Sequence, residues 1–124
     1  MYNFFVFTTY YFLTLTSIVG YGLYSLKLLK IKFNFVNFGY AGLFGIYILI
    51  VYSYFSNIFI AHTEIHNLII LIIGLILFIY LVKQKYSLYK SEIIFSFIVF
   101  VLLFCAVLQF KNHDDFPYYH FPYT

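Results

Sequence analysis

The residues able to do chemistry fall in two short stretches of this 124-residue sequence. The first, 111–124, reads Lys-Asn-His-Asp-Asp-Phe-Pro-Tyr-Tyr-His-Phe-Pro-Tyr-Thr. Adjacent carboxylates at Asp114 and Asp115 repel, so one of them gains affinity for a proton and would serve as a base near neutral pH. The same pair offers hard oxygen ligands for a divalent metal cation, which would in turn meet phosphate oxygens. His113, Tyr118, Tyr119 and His120 are the accompanying substrate-binding candidates. Phe116, Phe121 and Tyr123 extend an apolar wall suited to a sugar ring or a lipid chain. The rival reading is an interfacial aromatic belt beside solvated charge. Pro117 and Pro122 bias Phe116 and Phe121 toward extended backbone, or else start a helix at its first position.

The second stretch is His62-Thr63-Glu64-Ile65-His66. As extended backbone it puts His62, Glu64 and His66 on one face, a three-ligand set for a metal. As helix it puts His62 and His66 on one face and turns Glu64 nearly opposite. It is not the His-Glu-x-x-His metalloprotease motif, because the glutamate is misplaced. A solvated turn is the plain alternative.

The elements that must hold these stretches are apolar. Hydrophobic residues make up 65% of the chain and charged residues 9%, against about 25% charged in soluble domains. The fold class is therefore all-α, an integral membrane bundle of four transmembrane helices, with spans at 2–26, 38–61, 66–82 and 93–110. A ten-residue loop is expected over 83–92. One Asp at the centre of a span costs roughly 2.5–3.5 kcal/mol, so Asp114 and Asp115 belong outside the hydrocarbon. Thr8, Thr9, Thr14, Thr16 and Ser17 make the first span the most polar, through contacts to a neighbouring helix or bonds to its own backbone. Gly39, Gly42 and Gly45, with Ala41, mark a helix-packing face. Cys105 reads as a small packed hydrophobe.

Lysine placement sets the expected topology. The chain has seven lysines and no arginine. Three lie in the first loop (27, 30, 32), three in the third (83, 85, 90), and only Lys111 near the other ends. The positive-inside rule puts both lysine loops in the cytoplasm, with both termini and the 62–66 turn outside. All four histidines, with Glu64, Asp114 and Asp115, then share the outer side; Glu92 alone stays inside, answering Lys90 or sitting in the first turn of the fourth span. The scattered lysines exclude a nucleic-acid interface. Spans free of Asp, Glu, Lys and Arg argue against an ion path.

An outward Asp-Asp flanked by aromatics directly after a span resembles the first external loop of the GT-C class of integral-membrane glycosyltransferases. More closely, the segment from His113 to Thr124 is similar to one in large bacterial membrane proteins grouped near that class. The resemblance implies a bacterial inner-membrane setting with periplasmic termini and a polyprenyl-phosphate sugar as donor. It implies Asp114 or Asp115 as catalytic base or metal ligand, and carries no role for the 62–66 turn. In that class the acidic loop follows the first span, here the fourth, and the class has more spans. The expectation is thus the N-terminal part of a longer transferase, completed by further helices of the same or another chain and inactive alone. The alternative is a small non-enzymatic scaffold or assembly subunit that docks a partner on the 39–45 face.

Overall fold

The computed structural model describes residues 2–31, 37–84 and 86–109. Over these the chain forms four helices: α1 (Tyr2–Leu28), α2 (Phe38–Phe59), α3 (Glu64–Gln84) and α4 (Tyr86–Gln109). At 1.5 Å per residue even α3, with 21 residues, reaches roughly 31 Å, enough for a hydrocarbon core of about 30 Å. All four are long and apolar enough to span a membrane. Their flanks confirm that solvent. Phe59 is 81% exposed and Tyr54 77%, with large apolar side chains of every helix similarly uncovered. Water would punish such a surface; lipid does not.

The helices alternate in direction, and α1 is the central one, packed along both α2 and α3. Because lipid is as apolar as leucine, the packing here comes from close backbone approach rather than from hiding side chains. At Gly22 a Cβ would run into the Ala41 backbone, and at Gly45 into the Ile18 carbonyl. On the other flank of α1, Gly20 lies against Gly74 and Phe78, while Gly74 lies against Ser17 and Tyr21. The expected small-residue face on α2 is therefore real, but Ala41 and Gly45 form it, and α1 covers it. Gly39 and Gly42 stand off, with the nearest atom to a Cβ at Gly42 being Val19 Cγ2 at 3.9 Å.

The buried core gathers at one end of the bundle. Val19, Leu23 and Leu26 of α1 meet Phe38 and Ala41, Leu81 and Val82, and Tyr89. Phe38 joins the elements there, its ring 5.7 Å from Phe78 and 5.4 Å from Tyr89. Lys27, Lys30, Lys83 and Lys90 lie at this same end, since α1 and α3 finish there and α2 and α4 begin. Toward the opposite end α4 is held by rings, with Phe104 packed against Phe4, Phe7, Tyr11 and Phe12. Tyr11 adds a bond from its hydroxyl to the Phe100 carbonyl, 3.0 Å.

Helix ends follow local chemistry. α1 stops in a Schellman turn: Ile31 N–H bonds to the Leu26 carbonyl at 3.1 Å and Lys30 N–H to the Lys27 carbonyl at 3.0 Å. Lys30 takes the left-handed position, φ 56°. Asn37 caps α2, its Oδ1 accepting from Tyr40 N–H at 2.8 Å.

Three sequence expectations need correction. The loop expected over 83–92 is mostly helix, because α3 runs to Gln84 and α4 starts at Tyr86. Tyr89, buried among the core rings, gives that first turn tertiary support that no periodicity displays. The third span starts at Glu64, two residues earlier than expected, since Thr63 makes a workable cap. Cys105 is exposed on α4 rather than packed inside.

Candidate functional site

The 62–66 stretch resolves as a helix start. After α2, Ile60 is extended and its N–H returns to the Ser56 carbonyl at 2.8 Å. Thr63 then caps α3: its carbonyl accepts from Asn67 N–H at 3.0 Å, and its Oγ1 from His66 N–H at 3.3 Å. With helix beginning at Glu64, residues 64 and 66 must diverge by about 200° around the axis. The structure obeys that. His62 and His66 stack, centroids 4.9 Å apart and planes 15° off parallel, and His66 stacks on Tyr52 at 5.9 Å. Glu64 instead enters a cleft on the far side of the turn.

The imidazoles are tied back to α2. Ser56 Oγ lies 2.8 Å from His62 Nε2, and the Tyr52 hydroxyl 3.3 Å from His66 Nε2. Ser56 Oγ is also 3.3 Å from the Ser53 carbonyl. A hydroxyl has one proton, so donating to Ser53 leaves it to accept from His62 Nε2–H. These bonds fasten α2 to α3 where their helices otherwise touch little. The three-ligand set of His62, Glu64 and His66 is not formed. Among the described residues no three His, Cys, Asp or Glu side chains converge.

Beside this turn, α1, α2 and α3 enclose a cleft of about 610 Å³. Glu64 and Asn67 stand on its α3 wall, Tyr10, Thr14 and Ser17 on its α1 wall, and Ile18, Leu49 and Leu71 supply apolar surface. The α1 hydroxyls divide into two kinds. Thr8, Thr9, Thr16 and Ser25 bond to carbonyls four residues back, at 2.8–2.9 Å, satisfying local backbone as one sequence alternative held. Thr14 makes no such bond among the described residues, and Ser17 is buried against α3. Sequence reasoning missed the cleft, although Tyr10, Thr14 and Ser17 at helical spacing were its visible trace. Tyr52 and Ser56, four apart on α2, were likewise overlooked.

The lysine end holds a different polar device. Glu92 does not answer Lys90; its Oε2 accepts from Phe38 N–H at 3.3 Å, at the start of α2. A carboxylate there faces the positive end of the helix dipole. Lys27 Nζ sits 5.2 Å above the Tyr80 ring, joining α1 to α3 by a cation–π contact.

Asp114 and Asp115, with His113, Tyr118, Tyr119 and His120, lie outside the described residues. What precedes them is clear: α4 ends at Gln109, at the end of the bundle that holds His62, Glu64 and His66. No family model, curated protein or solved structure matches the chain.

Proposed function

We propose that this chain is the membrane portion of a lipid-linked-sugar glycosyltransferase in a bacterial inner membrane. Both lysine loops lie in the cytoplasm and the histidine end faces the periplasm. One observation carries the reading. The described lysines gather at one end of the bundle, while α4 ends at Gln109 at the other, the end that also holds Glu64, His62 and His66. Asp114 and Asp115 would hold a divalent cation that neutralises an anionic donor, or one of them would take the proton of the acceptor hydroxyl as it displaces polyprenyl phosphate from the sugar. Tyr118, Tyr119, His113 and His120 line the donor or acceptor. The exposed apolar flanks of the helices let a polyprenyl chain lie alongside.

The test uses the chain in lipid nanodiscs with Mn²⁺, scoring retention of a polyprenyl-phosphate glucose against the free polyprenol by native mass spectrometry. Preferential retention of the phosphate sugar, reduced about tenfold in Asp114→Asn or Asp115→Asn, is expected; tenfold is about 1.4 kcal/mol, in keeping with loss of one charge-assisted contact. Equal retention of polyprenol, or indifference to both substitutions, would remove the reading. The scaffold alternative then moves forward, though Ala41 and Gly45 are engaged by α1 and a partner would need another surface.

A further inference from the structure

We infer that the cleft between α1 and α3 is a binding site for a neutral glycosylated lipid, with the sugar hydroxyls at Glu64 and Asn67 and an acyl chain along the apolar wall. The inference does not depend on the transferase reading. Its first support is convergence. Tyr10 and Thr14 from α1, and Glu64 and Asn67 from α3, meet in one cleft of about 610 Å³, within the usual range for small-molecule sites. None of these four side chains has a hydrogen-bond partner among the described residues. Polar groups left open together in one cleft can bond a ligand that reaches all of them. Ser17, 3% exposed, sets a hydroxyl into the floor.

The chemistry of the lining selects the head group. Glu64 accepts hydrogen bonds through two oxygens, a geometry that fits vicinal hydroxyls, and the Asn67 amide both donates and accepts. Among the described residues a phosphate would meet the Glu64 carboxylate with no cation beside it: Lys27, Lys30, Lys83 and Lys90 are at the other end, and His62 and His66 turn to Ser56 and Tyr52. A quaternary ammonium calls for several aromatic faces, and among the described residues Tyr10 is the single ring lining this cleft. Uncharged hydroxyls remain. Depth fits as well. Glu64 begins α3 and so stands at the boundary of the hydrocarbon, while Ile18, Leu49 and Leu71 lie deeper, where a chain belongs. Tyr10, Ile65 and Leu68 are exposed, leaving the cleft open sideways to lipid.

The experiment incorporates the full chain in phosphatidylcholine nanodiscs doped with monoglucosyl diacylglycerol, diacylglycerol, phosphatidylethanolamine or phosphatidylglycerol. Retained lipid is read by native mass spectrometry. The glucosyl lipid should be held about tenfold better than diacylglycerol and better than either phospholipid. Glu64→Gln and Asn67→Leu should each cut that preference about fivefold, and Glu92→Gln, at the opposite end, should leave it unchanged. Thr14→Val should lower it about threefold; Thr14 makes no bond within the described chain, so this variant reads the site even if Glu64→Gln fails to fold. Equal retention of diacylglycerol, a preference for either phospholipid, or an unchanged preference in both Glu64→Gln and Thr14→Val would overturn the inference. The site does not include Asp114 or Asp115, so the polyprenyl-phosphate result leaves it to stand or fall separately.

Discussion

Glu92 shows what one residue can hide. By its neighbours it belongs with Lys90 on the surface of α4; by its contact it belongs to α2, closing the first turn that Asn37 caps. Its removal strips a partly buried N–H of its partner and a charge from the helix start. Glu92→Ala should cost about 1 kcal/mol of stability, with Glu92→Gln losing less because its oxygen still accepts. Unfolding in a graded denaturing detergent checks both. An unchanged midpoint for Glu92→Ala would show that the 3.3 Å contact contributes nothing. Lys30 offers the opposite sign. Its left-handed backbone is a strain that glycine does not feel, so Lys30→Gly should gain roughly 1 kcal/mol in the same assay.

At the scale of elements, backbone proximity rather than side-chain size joins the helices. Gly22 has no room for a Cβ against Ala41, whereas Gly42 has ordinary space. Gly22→Ala should therefore destabilise by about 2 kcal/mol, as overpacking does, while Gly42→Ala should be neutral or gain up to roughly 1 kcal/mol from helix propensity. Similar midpoints for the two variants would refute the assigned α1–α2 contact. The glycine spacing on α2 announced a packing face, but not which of its residues would touch, since that depends on the rotation of α1. The early start of α4 was hidden for a similar reason. Tyr86 and Ser87 read as loop by composition, and Tyr89 packing on Phe38 makes helix the better state.

For the whole molecule, orientation is the testable property. In a Cys105→Ser background, a cysteine placed at Thr63 should react with a membrane-impermeant maleimide applied to intact spheroplasts. One placed at Lys30 should react only after the membrane is opened. The reverse pattern would put the histidine end in the cytoplasm and remove the periplasmic site. The charge asymmetry that motivates this is plain in the sequence, because lysine is excluded from hydrocarbon and its loops can be counted.

By itself the sequence determined the solvent and the architecture. A chain 65% hydrophobic with polar breaks every twenty to thirty residues must span a bilayer as helices, since no other open structure satisfies its backbone there. It also determined the ends at which charge and histidine gather, because consecutive spans alternate in direction. Tertiary structure decided the rest. Whether Glu64 joins the imidazoles depended on where α3 begins, and Thr63 settled that by capping one residue before it. Whether Thr14 serves the backbone or a cleft depended on what lies opposite, and α3, brought close by Gly20 and Gly74, placed Glu64 and Asn67 there. Such pairings join residues some fifty positions apart; local pattern cannot encode them, because the rotation of each helix is set by the surfaces it meets.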